Sequence, residues 1–190
     1  MCGIAGFANI KNPDFKIDSD SLNNLHCSIS HRGPDGFGIW SSARFQVAFV
    51  HRRLSIVDLS DAGNQPMQDQ ENSIVIVFNG EIYNHEKIRQ ELVNLGYKFK
   101  SRCDTEVIIY AYKHWGINCL EKLEGMFAFA IFDLKKNELY LVRDRIGVKP
   151  LYFSLQNNIL SFASEIKALF SLKFINKNLN SQAISHYLTY

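Results

Sequence analysis

The chain has 190 residues, 46% of them hydrophobic and 21% charged, with a formal net charge of +2. That is the profile of an ordinary globular protein of one-domain size with a substantial core, and it excludes a disordered or fibrous chain. Acidic and basic residues are interspersed, so neither a nucleic-acid-binding face nor a membrane-binding face is expected. Apolar runs such as residues 74–78 and 126–132 fall far short of a bilayer span. Met1-Cys2-Gly3-Ile4 opens the chain without the basic and apolar regions of a signal peptide, and a cytoplasmic location is expected. The four cysteines (Cys2, Cys27, Cys103, Cys119) show no CxxC spacing and read as free thiols, neither a disulfide framework nor a zinc site.

In chain order, residues 4–10 read as an opening strand. Residues 18–29 follow as a helix with Leu22, Leu25 and Ile29 on one face and Asp and Ser residues suited to capping. Gly33, Pro34, Gly36 and Gly38 punctuate a tight connection. Strands are expected around residues 37–40, 45–51 and 74–78. A helix over 86–95 places Ile88, Leu92 and Leu95 on one face and stops at Gly96, and another helix spans 105–115. The second half reads as two hairpins, 126–133 with 138–143 and 151–155 with 159–163. Helices and strands come in blocks rather than in βαβ alternation, which predicts an α+β architecture of antiparallel sheets covered by helices. Residues 180–190 start a further helix with Ile184, Tyr187 and Leu188 on one face, an apolar face that expects a partner outside this sequence.

Candidate chemistry is sparse but specific. Removal of Met1 would leave Cys2 with its own α-amine beside its thiol. An α-amine has a pKa of about 7.7–8.0, so one residue would supply both nucleophile and base. Read by position alone, Cys2 is a small buried residue opening a strand. Asn79-Gly80 reads either as a type I′ hairpin turn or as a pair of donors for an oxyanion, the Asn79 amide and the Gly80 N–H. Asp104 reads as a helix N-cap or as the carboxylate holding a substrate ammonium. Arg53 reads as a solvated strand end or as a bidentate clamp on an α-carboxylate. His31, His51 and His114 are too scattered for a metal set, and no phosphate-binding glycine loop is present.

Taken together, eight segments in order change the balance. They begin with Met1-Cys2-Gly3-Ile4-Ala5-Gly6, His31-Arg32-Gly33-Pro34-Asp35, Arg53-Leu54-Ser55-Ile56-Val57-Asp58 and Asn79-Gly80-Glu81-Ile82-Tyr83-Asn84. Asp104-Thr105-Glu106-Val107, Gly125-Met126-Phe127-Ala128, Arg143-Asp144-Arg145 with Lys149-Pro150-Leu151-Tyr152, and Phe162-Ala163-Ser164-Glu165-Ile166-Lys167 complete the set. Along nearly the whole chain they resemble the glutaminase domain of glutamine-hydrolysing asparagine synthetases, which are class II, N-terminal-nucleophile amidotransferases.

The resemblance implies an αββα four-layer sandwich of two antiparallel sheets, with Cys2 as the nucleophile that forms a γ-glutamyl thioester and Asn79 and Gly80 as oxyanion donors. It implies L-glutamine held by Arg53 at the α-carboxylate and by Glu81 and Asp104 at the α-amine, in a pocket also lined by Leu54, Ser55, Ile56 and Val57. No metal and no cofactor is implied for this half; ATP and Mg2+ belong to the family's synthetase domain, for which the chain is too short. The expected organisation is a glutaminase unit over residues 1–180 and the start of a linker over 181–190, as in a truncated longer protein. The ammonia would pass to a synthetase domain or subunit that makes asparagine from aspartate. Alternatives are a stand-alone amidotransferase for another acceptor such as a surface-polysaccharide sugar, and an inactive binding remnant. Oligomeric state is open, a homodimer included. Cys103 departs from the Ser or Thr that the family usually carries before the Asp104 position.

Overall fold

The computed structural model describes residues 1–12, 15, 18–42, 46–55 and 60–189. The first sheet contains β1 (Gly3–Asn9), β2 (Gly36–Ser41), β3 (Val47–Arg53), β8 (Tyr152–Gln156) and β9 (Ile159–Ala163), in the order β2-β3-β1-β9-β8. The second contains β4 (Met67–Gln68), β5 (Ile74–Ile82), β6 (Gly125–Asp133) and β7 (Glu138–Arg143), in chain order. Every pairing in both sheets is antiparallel. Helices α1 (Ser19–Ser28) and α4 (Ile166–Leu169) cover the first sheet; α2 (His85–Asn94) and α3 (Asp104–Trp115) cover the second. Helix α5 (Ser181–Thr189) follows with no buried residue.

The four layers follow from alternation along the central strands, whose successive side chains point to opposite faces. On β1, Ala5 and Phe7 pack under α1 and α4, while Ile4 and Ala8 face the other sheet. On β5, Ile74, Ile76 and Phe78 pack under α2 and α3, while Val75 and Val77 face inward. On β6, Phe127, Phe129 and Ile131 take the helix side and Ala128, Ala130 and Phe132 the inter-sheet side. Because both faces are covered, these strands are apolar throughout, and periodicity alone could not assign their faces. The αββα sandwich expected from the resemblance is the observed architecture.

Local chemistry explains most boundaries. Asp18 caps α1 by accepting a hydrogen bond from the Ser21 amide at 2.6 Å. Asn137 (φ 56°), and Asn157 (φ 52°) with Asn158 (φ 60°), supply the left-handed turns of the two hairpins. Gly96 at φ +94° stops the chain after α2; Leu95, assigned to the apolar face by spacing, lies beyond the helix end and is 50% exposed.

The largest departure from local expectation is at Asn79-Gly80, which is not a turn. Strand β5 runs straight through it to Ile82, with Asn79 opposite Ala128 and Gly80 opposite Phe127. A nine-residue ladder with β6 overrides the dipeptide's turn preference. The strand expected over 45–51 runs instead as Val47–Arg53, and Phe45 lies outside the described residues. The two-residue β4 and the single-turn α4 carry too few residues for a periodic signal.

Candidate active site

A cleft opens where β1 begins, β3 ends, β5 passes and α3 starts. Cys2, Arg53, Leu54 and Ser55 line it together with Asn79, Gly80, Glu81 and Asp104. Those are all the expected site residues except Ile56 and Val57, which lie outside the described residues. Residues separated by about a hundred positions in sequence are thus gathered by the stacking of the two sheets, whose central strands β1, β3 and β5 contact one another.

Cys2 precedes β1 and is held on two sides. Its Sγ accepts a hydrogen bond from the Leu54 amide at 3.3 Å and lies 3.6 Å from the Leu54 carbonyl. Its own carbonyl accepts from Arg32 Nε at 3.0 Å, so the His31-Arg32-Gly33-Pro34-Asp35 segment anchors the Cys2 backbone. The same segment fixes the pocket wall, because the Asp35 amide donates to the Arg53 carbonyl at 3.1 Å and Asp35 Oδ2 accepts from the Ser55 amide at 2.8 Å. Gly33 permits that approach: a Cβ there would lie 2.5 Å from the Arg53 nitrogen. Burial pushes the Cys2 thiol above its ordinary value, outweighing the Leu54 amide, the chain-terminal amine and Arg53, with Asp104 adding to the rise. The sulfur therefore needs a base to become a thiolate.

Asn79 is 1% exposed, and its Nδ2 has no hydrogen-bond partner among the described residues. An unsatisfied buried donor costs about 1–3 kcal/mol, and Asn79 lines the cleft, where a ligand oxygen could satisfy it. Gly80 adds its bare backbone beside it. A Cβ on Gly80 would collide with the Met126 carbonyl and stand 2.7 Å from Phe127 Cα, so only glycine fits between β5 and β6 here. The strand places donor side chain and donor backbone at one spot, as an oxyanion hole requires.

Arg53 is buried at the end of β3, not a solvated strand terminus, and its Nη1 donates to Asn64 Oδ1 at 2.7 Å. Asp104 is the first residue of α3, after Cys103 in the N-cap position, and its Oδ2 accepts from the Ile82 amide at 3.0 Å. Burial raises the Asp104 pKa above its ordinary value, against the pull of the Ile82 amide and His85. Glu81 is exposed at the cleft rim. The cleft thus carries the Arg53 cation together with the Glu81 and Asp104 carboxylates, charges complementary to those of an α-amino acid.

With this geometry in view, the comparisons decide the family. The description "Glutamine amidotransferase domain" matches residues 1–190. The chain belongs to the glutamine amidotransferase domain family. It is 36% identical over 187 residues to "Asparagine synthetase [glutamine-hydrolyzing] 3" of Bacillus subtilis, covering 97% of this chain and 30% of that protein. It is 39% identical over 176 residues to "Amidase chry2" of Gibberella zeae, covering 88% of this chain and 26% of that protein. The amidotransferase domain thus spans about a third or less of these curated relatives. The glutamine phosphoribosylpyrophosphate amidotransferase from B. subtilis, solved with ADP and GMP, shares the fold with a TM-score of 0.73 at 22% identity, covering 89% of this chain and 43% of that one.

The amidotransferase domain also recruits residues that spacing did not single out. Gln65 bridges two elements: its Oε1 accepts from the Phe78 amide at 2.6 Å and its Nε2 donates to Thr105 Oγ1 at 3.1 Å. This replaces the ladder partner that the short β4 cannot offer and fixes β5 just before Asn79. His51, one turn of the pleat from Arg53, is buried against the cleft, and neither ring nitrogen has a partner of sound geometry among the described residues. Burial takes its pKa down to about 3, with the Arg53 charge adding and the Phe78 backbone opposing, so it is a neutral imidazole. Lys149, Met126 and Cys103 also line the cleft. His51 and Gln65 carry no spacing signal, and Lys149, although it stands in a resembled segment, has no role assigned there; only the tertiary fold brings the three together. Among the described residues no cluster of three or more His, Cys, Asp or Glu side chains suits a metal, and no helix is long and apolar enough to cross a membrane.

Proposed function

We propose that this amidotransferase domain hydrolyses L-glutamine to L-glutamate and ammonia through the Cys2 thiol, once Met1 has been removed. The observation that carries the reading is the convergence of a cleft cysteine with an unpartnered, buried Asn79 amide and the glycine backbone beside it. Arg53 takes the α-carboxylate, Asp104 and Glu81 take the α-ammonium, and the side-chain amide then reaches Cys2. The free α-amine accepts the thiol proton, and Sγ attacks the amide carbon. The carbonyl oxygen, now an oxyanion, is held by Asn79 Nδ2 and the Gly80 N–H. Collapse breaks the C–N bond as the amine returns the proton to the departing nitrogen. Ammonia leaves a γ-glutamyl thioester, and water, deprotonated by the same amine, then releases glutamate and the thiol. No step of this sequence uses a metal or nucleotide.

The test is intact mass combined with a glutaminase assay on the purified chain and its Cys2→Ala variant. A mass lacking Met1, a covalent adduct from an electrophilic glutamine analogue and loss of both adduct and turnover in Cys2→Ala are the expected results. A processed chain that forms neither adduct nor glutamate would sink the reading and leave a binding remnant.

For the acceptor, residues 1–180 form the glutaminase unit, and α5 begins a connection to a synthetase domain that uses ATP and Mg2+ to make asparagine from aspartate in the cytoplasm. Exposure of Leu179 (85%), Tyr187 (84%) and Leu188 (78%) supports a covering partner for this end. A second reading is another ammonia acceptor, since one of the relatives is named an amidase and not an asparagine synthetase. Sequencing the open reading frame past residue 190 and assaying asparagine formation by its product separates the two.

A further inference from the structure

The cleft holds one charge to which the reaction above gives no task. Lys149 is only 5% exposed and lines the glutamine pocket. Its backbone is fixed from both ends: the Lys149 amide donates to Asp144 Oδ2 at 3.0 Å, and its carbonyl accepts from Arg143 Nε at 2.8 Å. Asp144 is itself locked by the Val148 and Phe127 amides, at 2.8 and 3.2 Å. Arg143 Nη2 donates to the Gly147 carbonyl at 2.7 Å, and Gly147 turns at φ +70°. The whole 143–149 loop is built to project one side chain into the cleft. A buried ammonium ordinarily finds a carboxylate or several oxygens. Lys149 Nζ instead sits 2.8 Å from Met1 Sδ, a weak acceptor, and makes no ion pair among the described residues.

That partner leaves with Met1. The thioether is five bonds from the Cys2 nitrogen, so Nζ lies no more than about 9 Å from the atom that becomes the free α-amine. We propose that Lys149 is a positioning charge of the glutaminase reaction: released from Met1, its ammonium holds the Cys2 α-amine in the unprotonated form that accepts the thiol proton. The inference rests on the glutaminase reading. Two cations at this range disfavour each other, and a lysine amine is ordinarily the stronger base, so the α-amine is the one that yields its proton. The effect is needed because the carboxylates of Asp104 and Glu81 face the same cleft and favour a protonated amine. On the other side stand Arg53 and Lys149 within the cleft and Arg32 on the Cys2 carbonyl. His51 is neutral, and the thiols of Cys2 and Cys103 are protonated by burial, so these contribute no charge at rest.

The test is the pH profile of glutaminase kcat/KM for Met1-free wild type, Lys149→Met and Lys149→Arg, with unfolding curves alongside. Lys149→Met is expected to move the acid limb up by about half to one pH unit without loss of stability, and Lys149→Arg to keep the wild-type limb. A limb that stays put in Lys149→Met, or one that moves equally in Lys149→Arg, overturns the inference. A second readout does not depend on turnover. In the Cys2→Ala background, the pH dependence of α-amine acetylation, read by mass, gives the amine's titration with and without Lys149→Met. An unmoved amine titration refutes the role of Lys149 even in an active enzyme. A processed wild type with neither adduct nor turnover refutes the glutaminase reading itself.

Discussion

At the scale of single residues, the site contains groups left unsatisfied or desolvated by the fold. Asn79 Nδ2 bonds to nothing among the described residues, so in the proposed reaction Asn79→Ala removes a donor that the resting fold does not use. Its expected outcome is a fall in kcat of about 10²–10³-fold with little change in unfolding midpoint, measured by steady-state kinetics and thermal melts. Asp104 is the opposite kind of residue, a carboxylate whose charged form is penalised by burial. A raised carboxylate pKa means that the folded state loses stability as pH rises through the window between the ordinary and the raised value. Asp104→Asn keeps an oxygen for the Ile82 amide and removes that penalty. It is expected to raise KM for glutamine by tenfold or more while leaving the melting temperature equal or higher, a trade of stability for binding. Cys2, Arg53, Asn79 and Asp104 were legible as chemistry-bearing types, but each also had an ordinary structural reading. What separates the readings is burial and pairing, and neither is a local property of sequence.

At the scale of elements, the strands position the chemistry by close approach. Gly80→Ala would drive a Cβ into the Met126 carbonyl and to 2.7 Å from Phe127 Cα, both main-chain atoms that cannot step aside. A stability loss of about 1–3 kcal/mol in denaturant titration, together with loss of activity, is the expected result. The joint between β9 and α4 plays a comparable part for Cys2. Glu165, the N-cap residue of α4, accepts from Arg32 Nη1 at 2.9 Å, and Arg32 Nε holds the Cys2 carbonyl. Burial alone would raise the Glu165 pKa, but hydrogen bonds from Arg32, His31 and Lys167 hold it at about 2. A depressed carboxylate contributes stability that is present above the ordinary value of 4.5 and is lost as pH falls through about 2. Glu165→Gln is therefore expected to flatten the acid limb of the stability–pH curve over that window and to lower kcat, as the Cys2 backbone loses its anchor. Chemical denaturation at successive pH values measures the first effect. Both resembled segments, His31–Asp35 and Ser164–Lys167, were visible in the chain, whereas the ion pair that joins them across 133 positions was not.

At the scale of the whole molecule, the site depends on the two sheets keeping their stacking, because β1 and β3 bring Cys2 and Arg53 while β5 brings Asn79 and Gly80. Phe162 is fully buried between the sheets, edge-to-face against Phe49 with ring centroids 5.6 Å apart. Phe162→Ala is expected to cost about 3–5 kcal/mol in equilibrium unfolding. Its residual folded fraction should bind glutamine more weakly, because the void lies between the two halves of the site. An unchanged unfolding midpoint would show that the inter-sheet layer does not carry the stability assigned to it here.

Short apolar runs, asparagine-bearing hairpins and capped helices, arranged in blocks, determine the α+β class by themselves, because those signals arise from dihedral preference and residue type within a few residues. The ordered set of segments likewise determines the family and nominates the nucleophile, the oxyanion donors and the substrate-holding charges. Tertiary structure alone decided that Asn79-Gly80 is mid-strand and not a turn, since the long pairing with β6 outweighs a dipeptide's preference. It alone buried Arg53 and His51, joined Gln65 to Phe78 and Thr105, and set Lys149 against Met1. Such contacts link residues far apart in the chain. Their energies come from exclusion of water and from complementary geometry between separate elements, which leave no periodic trace in the sequence.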